Sequence, residues 1–264
     1  MTHARLPLLV AGAGAMGGAL IAGWRHSIPA HDILIRDPSP GPDARAAAEA
    51  GATLDPSDAA IATARTVVFA VKPQVWRPAA ADLAPRLAPG AAIVSVIAGV
   101  KSADLAAAFA GRPVARVMPT LAAAIGQGSM ALWSNDEMLA AELTELFDPL
   151  GAVTRLADED LMHLATAASG SAPAYLYAFI EALEAAAADA GLPATDAARM
   201  VRATLTGAAA LLAASGEEPA ELRRRVTSPG GTTAAALAVL QPDLAPLVAR
   251  AVAAAAARSR ELGA

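Results

Sequence analysis

The chain has 264 residues, enough for one large domain or two modest ones, and 55% of them are hydrophobic, so a sizeable core can be buried. A net charge of −5 and only 3% aromatic residues exclude a nucleic-acid surface, which needs a basic face and base-stacking platforms. No cysteine is present, which removes disulfides, thiolate metal sites and a cysteine nucleophile and fits a cytoplasmic protein.

The first element is an apolar run, Leu8 to Ala11, that feeds a glycine-spaced turn. Gly12, Gly14 and Gly17 have the G-x-G-x-x-G spacing of a dinucleotide-binding loop, with Ala15 and Met16 between the last two. The first glycine permits the tight turn, the second admits a pyrophosphate, and the third lets a helix pack close to the strand. Phosphates then meet exposed N–H groups at a helix N-terminus, where the dipole favours anions. No charge occurs between Arg5 and Arg25, a span that resembles a membrane segment. Glycines at phosphate-loop spacing argue against that reading, because glycine is costly inside a helix.

The first helix continues through Trp24 and stops near Ser27 and Pro29. Ile33-Leu34-Ile35 reads as the second strand, and Asp37 stands at its end, 20 residues past Gly17, where an acid can bind a ribose 2′-OH. Its neighbour Arg36 suits a 2′-phosphate instead, so these two residues leave NADH and NADPH open. Pro38, Pro40 and Pro42 stiffen the next loop, a helix spans 44–50, and Ser57 or Asp58 caps a short helix. Residues 66–71 form a buried strand ending at Lys72-Pro73, which places Val71, Lys72 and Pro73 at a carboxyl edge where open parallel sheets bind ligands. A helix over 76–87, a strand over 92–96 followed by Ile97-Ala98-Gly99, a helix over 104–110 and a strand over 114–117 come next. A strand over 126–133, a helix over 136–147 and the segment 151–156 close this half. Alternating strands and helices predict an α/β doubly wound Rossmann-type sheet over residues 1–157.

Residues 158–264 carry no strand signal and form an all-helical domain, with helices over 158–168, 173–190, 195–214, 219–226, 232–240 and 244–262. The helix over 173–190 is apolar on nearly every side through Tyr175, Leu176, Tyr177, Phe179 and Ile180, and such a helix is normally buried. About a hundred helical residues struggle to surround it alone, so a second copy of the chain is expected to cover it, the alternative being burial against the first domain. Thr227-Ser228-Pro229-Gly230-Gly231-Thr232-Thr233 precedes a helix and forms a cup of N–H donors and hydroxyls suited to a carboxylate or phosphate, or simply a helix cap. Ser169 to Tyr175 is a second small-residue motif, largely explained by a Ser cap and Pro173 at a helix start. His163 reads as a structural histidine, Arg223-Arg224-Arg225 as a solvated face, and no residue set has metal-ligand spacing.

With these residues in hand, the chain resembles the pyrroline-5-carboxylate reductases over its whole length. The resemblance is carried by Pro219, Leu222 and Val226 running into Thr227–Thr233, then Ala236-Leu237, Leu240 and Gln241. Gly12–Gly17, Ala70-Val71-Lys72-Pro73, Ser95–Val100, Arg116-Val117-Met118-Pro119 and Ser169–Tyr175 also match, in order. Two departures stand out. Thr120-Leu121-Ala122 replaces the usual Asn-Thr-Pro, and Asp37-Pro38 replaces a pair suited to a 2′-phosphate. The resemblance implies hydride transfer from NADPH or NADH to the C=N bond of a cyclic imino acid. The family favours NADPH, whereas Asp37 argues for NADH. It implies a substrate carboxylate on Ser228, Gly230, Gly231 and Thr232, with Thr233 as the catalytic contact to the ring nitrogen. Gly12, Gly14, Ala15, Met16, Gly17, Arg36, Asp37, Val71, Lys72, Pro73, Ala98 and Gly99 are the expected cofactor residues. It also implies a homodimer of interlocked helical domains and larger rings built from dimers, while charge, glycine spacing and ligand spacing leave no nucleic-acid, membrane or metal partner expected. A reductase of another cyclic imine, or a regulator that kept the fold and lost turnover, are the other readings. Hydroxy-acid relatives would carry a Lys in the helix over 158–168, which has none.

Overall fold

The computed structural model describes residues 5–262. Eight strands form one sheet: β1 (Leu8–Ala11), β2 (Ile33–Arg36), β3 (Thr53–Leu54), β4 (Thr66–Phe69), β5 (Ala92–Ser95), β6 (Val114–Met118), β7 (Gly128–Ser134) and β8 (Gly151–Arg155). Their spatial order is β3-β2-β1-β4-β5-β6-β7-β8, with every neighbouring pair parallel except β6–β7. The order reverses between β1 and β4, and this switch point is where an open α/β sheet binds ligands.

Both faces of the sheet are covered, which explains why the strands read as continuous apolar runs rather than alternating ones. Leu8, Val10, Ile33, Ile35 and Val68 enter one core cluster, whereas Leu9, Leu34, Val67 and Phe69 enter the other. The first cluster includes Leu20, Ile21 and Trp24 of α1 (Ala15–Trp24), whose residues from Gly17 to Trp24 are all buried. The charge-free span between Arg5 and Arg25 is therefore a core strand and a core helix. Trp24 donates its indole N–H to the Leu146 carbonyl (2.9 Å) and meets Phe147 edge-on at 5.2 Å.

The crossover helices are α2 (Pro42–Glu49), α3 (Asp58–Ile61), α4 (Trp76–Leu83), α5 (Ser102–Ala108) and α6 (Glu137–Phe147). Pro42 occupies the first turn of α2, where its missing N–H costs nothing, and the Ser57 hydroxyl caps α3. The chain then runs through α7 (Leu161–Ala165), a π turn at Thr166–Gly170, α8 (Ala172–Asp189), α9 (Ala194–Ser215), α10 (Pro219–Arg225) and α11 (Thr232–Glu261).

Two expectations differ from this. The helices over 232–240 and 244–262 are one helix, α11, with Pro242 and Pro246 inside it. Each proline removes one backbone N–H bond. Residues 238–250 are all exposed in the chain, so no carbonyl freed by this is buried there, and the Ala- and Leu-rich flanks propagate the helix. The helix over 158–168 is shorter, because the π turn over the Ser169-Gly170 motif interrupts it; there the Ser171 N–H reaches back to the Thr166 carbonyl (2.8 Å).

Two compact units result, residues 1–171 with 254–264, and residues 172–253. The helical half expected from residue 158 thus begins with α7 and the π turn inside the sheet unit, and the last turns of α11 return to that unit.

Candidate active site

The glycine loop is built as its spacing requires. Gly12 has φ +95°, and its N–H donates to the Arg36 carbonyl (2.9 Å), tying β1 to the end of β2. Gly17 lies against this turn so closely that a Cβ there would come within 1.9 Å of the Gly12 carbonyl oxygen. Gly14 is different: it is the N-cap of α1, and a Cβ there would meet nothing within 4 Å. Its open side is a cradle at a helix N-terminus, the geometry that accepts a pyrophosphate. Ala15 and Met16 form the first turn of α1.

A cavity of about 870 Å³ extends from this loop along the carboxyl edge of the sheet. Six sequence-predicted residues line it: Gly12, Gly14, Arg36, Asp37, Val71 and Lys72. Asp37 is fixed from two sides, its Oδ2 accepting the Ala13 N–H (2.5 Å) and its Oδ1 the Ser39 N–H (2.7 Å). Each carboxylate oxygen keeps a lone pair for a ribose hydroxyl. Arg36 donates to Asp82 at the end of α4 (2.8 Å). Ser39, Asp55 and Asp82 also line the cavity, and none was singled out from the sequence. Asp55, directly after β3, has φ +52°, a conformation uncommon outside glycine, and it borders the same space.

The remaining sheet-unit positions flank this edge outside the cavity wall. Pro73 opens a 3₁₀ turn after β4, and Ala98 and Gly99 follow β5, with Gly99 at φ +84°. The segment after Gly99 is pinned by Glu159, whose carboxylate accepts the Ser102 N–H (2.7 Å), the Ser102 hydroxyl (2.6 Å) and the Arg116 guanidinium (3.0 Å). Arg116 is buried, so Glu159 supplies the charge partner that a buried guanidinium needs. Thr120, in the departing Thr120-Leu121-Ala122 segment, is buried and its hydroxyl accepts the Ser129 N–H (3.0 Å). One lone pair of the hydroxyl is thus taken by β7, and its O–H remains a donor.

His163 is buried, with Nδ1 3.0 Å from the Ser259 hydroxyl. Burial, reinforced by the charges of Arg116 and Arg260, holds its imidazole below the usual range and outweighs Asp160. It is a neutral core histidine, as its apolar setting suggested. No group of three or more metal-capable side chains occurs among the described residues.

In the second unit, Ser228 to Thr233 form a turn into α11. Gly230 has φ +70°, and the Gly231 N–H closes the turn on the Ser228 carbonyl (3.0 Å). Gly231, expected as a free donor, is therefore used internally. The Thr232 and Thr233 N–H groups lie in the first helical turn, where no intrahelical acceptor exists. Ser228 is exposed and Thr233 half-buried. Arg224 and Arg225 pair with Glu221 and Glu217 at 2.5 Å, as a solvated face would. α8 has no buried residue at all, and Leu176, Tyr177 and Phe179 are about half exposed or more.

Comparison with known proteins covers both units. Residues 159–262 match the family model described as pyrroline-5-carboxylate reductase dimerisation. Residues 8–99 match that of NADP oxidoreductase, coenzyme F420-dependent. The chain is 40% identical to a pyrroline-5-carboxylate reductase of Pseudomonas aeruginosa, over 95% of this chain and 94% of that one. A solved pyrroline-5-carboxylate reductase of Coxiella burnetii superposes with a TM-score of 0.90 at 26% identity, covering 98% of this chain and 99% of the other. A pyrroline carboxylate reductase of Plasmodium falciparum, solved with NADP bound, gives 0.85 at 26% identity, with the same coverage. Likeness at this level, over nearly the full length of each chain, is that of common descent, and the chain belongs to the pyrroline-5-carboxylate reductase family.

Proposed function

We propose that the protein reduces the C=N bond of 1-pyrroline-5-carboxylate with NADH or NADPH, giving L-proline. The observation that carries this reading is the whole-length likeness to the Pseudomonas reductase. The open cradle at Gly14 fits the dinucleotide the reaction needs, because it is a concave, side-chain-free helix start on a cavity of sufficient size. When bound, the dinucleotide supplies the hydride. The chain's own residues bind and orient.

Asp37 takes the adenosine ribose hydroxyls, and the N–H groups around Gly14 take the pyrophosphate. Val71, Lys72, Pro73, Ala98 and Gly99 are assigned to the same cofactor along the sheet edge. The Ser228–Thr233 turn takes the substrate carboxylate, on the Gly230 and Thr232 N–H groups and the Ser228 hydroxyl. The α11 dipole adds to this attraction. The Thr233 hydroxyl is assigned to the ring nitrogen, where it orients the imine by accepting a hydrogen bond from the protonated nitrogen, which keeps that proton as its carbon accepts hydride. A protonated imine is already electrophilic, so alignment supplies most of the catalysis and no strong acid or base is required. His163, neutral and buried, takes no part.

The helical unit is assigned to a homodimer, with larger rings built from dimers. The family match supports a dimerisation segment, and the exposed apolar side chains of α8 support a partner chain. α11 is the one helix among the described residues long and apolar enough to cross a membrane. Its apolar surface is assigned to the partner, and the protein to the cytoplasm. A second reading, a cyclic imino acid with another ring, is favoured by Thr120, which offers a short hydroxyl anchored to β7 where the family has a longer amide. Incubation with 1-pyrroline-5-carboxylate and reduced nicotinamide, with chiral chromatography of the product, tests the proposal. L-proline is expected, and its absence while a larger-ring imino acid is reduced would favour the second reading.

A further inference from the structure

The rim of the nucleotide cavity carries a charge arrangement that hydride transfer does not require. Arg36, the cation expected to meet a 2′-phosphate, gives its Nη2 to Asp82 Oδ2 (2.8 Å). Asp82 Oδ1 accepts from Arg86 Nη2 (2.8 Å), and Arg86 Nε donates to the Asp82 carbonyl (3.0 Å). Arg86 Nη1 in turn reaches Asp58 (2.5 Å). Four charges of alternating sign thus run from β2 across α4 to α3, and they cancel. Asp37 and Asp55 then stand on the cavity wall with Lys72 as the other cation, so the lining holds Arg36 and Lys72 against Asp37, Asp55 and Asp82.

We propose that Asp82, through its hold on Arg36, is a specificity-determining residue that makes the cavity take NADH in preference to NADPH. A 2′-phosphate carries close to two negative charges near neutral pH. At the end of β2 it would lie beside Asp37, which two backbone N–H groups fix in place. Arg36 turned toward the phosphate would leave Asp82 unpaired on that side, because Arg86 holds Asp82 through both side chain and backbone. The phosphate would then face Asp37 and the Asp82 Oδ2 that Arg36 had covered, while Arg86 stays committed to Asp82 Oδ1 and to Asp58. A ribose 2′-OH meets no such penalty, since it donates to Asp37. Like-charge juxtaposition of this kind acts as selection against the wrong ligand. Asp82 lies 45 residues beyond Asp37 in sequence, which is why the β2 end alone left the choice undecided.

The proposal rests on the cavity's holding a nicotinamide dinucleotide, not on the identity of the imine. It is tested by equilibrium titration of the full-length protein with NADH and with NADPH, followed by nicotinamide fluorescence. The wild type is expected to bind NADH at least about tenfold more tightly. Asp82→Ala is expected to lower the NADPH-to-NADH ratio of dissociation constants at least about tenfold and to make NADPH binding more salt-dependent. The double variant Arg36→Met with Asp82→Ala should lose that gain, because Arg36 is the group released. A purely structural role for Asp82 would weaken both nucleotides alike and leave the ratio unmoved, which would overturn the proposal, as would wild-type preference for NADPH. Failure of both nucleotides to bind would overturn the dinucleotide reading itself, and this proposal with it.

Discussion

Two glycines of one loop are expected to fail in opposite ways when enlarged. A methyl group at Gly17 would sit 1.9 Å from the Gly12 carbonyl oxygen and 3.0 Å from the Gly12 carbonyl carbon. Ordinary contact requires the two backbones to separate by about 1.5 Å. The struck atom cannot swing away, because Gly12 is held to β2 through its N–H. Overpacking of this kind costs ~1–3 kcal/mol, and rigid backbone places Gly17→Ala at about 3. At about 2–4 °C per kcal/mol for a chain of this size, the thermal midpoint falls by about 6–12 °C. Gly14→Val meets open space at φ −70°, so it costs only the preference for glycine over valine at an N-cap, about 1 kcal/mol. Its side chain fills the cradle, and losing two hydrogen bonds to phosphate at ~1.5 kcal/mol each weakens nucleotide binding about 100-fold. Thermal melting and fluorescence titration of both variants check this. Wild-type nucleotide affinity in Gly14→Val, or a wild-type midpoint in Gly17→Ala, would refute the division of labour.

Thr233→Ala should lower turnover at least about tenfold while Thr233→Ser retains most of it, because only the hydroxyl is at stake; steady-state rates on both decide. Phe179→Glu, on the exposed apolar side of α8, should shift the protein to monomer in sedimentation at micromolar concentration, and an unchanged dimer would contradict the assigned interface. His163 has a folded pKa below its ordinary 6.5, so the unfolded chain takes up its proton first as pH falls. The stability it contributes is present above about pH 6.5 and is lost as pH drops through the folded value. Urea unfolding of His163→Gln should show a flatter pH dependence across that window than wild type, and equal slopes would show that the loss arises elsewhere.

What the residues revealed in advance was local. Gly12, Gly14 and Gly17 are legible because a strand, a tight turn and a helix start each constrain the residue type at a fixed spacing. The helix around Phe179 is legible because its apolar residues face every direction, and the structure leaves it uncovered within the chain. β3 escaped notice, since two residues carry no alternation. The unbroken α11 escaped because a proline pair reads as a break, and only the helix-forming flanks decide otherwise. Asp82, Asp55 and Glu159 are brought to the sheet edge by crossovers and by the return of α7, and nothing in their immediate sequence marks them. The 2′-phosphate question belongs to this non-local class. Arg36 and Asp37 point in opposite directions within the sequence, and the partner of each lies elsewhere in the fold: Asp82 for the first, the Ala13 and Ser39 N–H groups for the second.

Recognition of a substrate carboxylate, assigned to Ser228–Thr233, separates a reductase of a carboxylated cyclic imine from one that reads the ring alone. The most direct test is the rate of nicotinamide oxidation with 1-pyrroline-5-carboxylate and with 1-pyrroline, the same ring without the carboxylate. A kcat/KM at least about 100-fold higher for the carboxylated ring is expected, since any two of its three charge-assisted hydrogen bonds would supply that much at ~1.5 kcal/mol each. No oxidation with 1-pyrroline-5-carboxylate by folded, nucleotide-binding protein, or equal rates on the two rings, would contradict it.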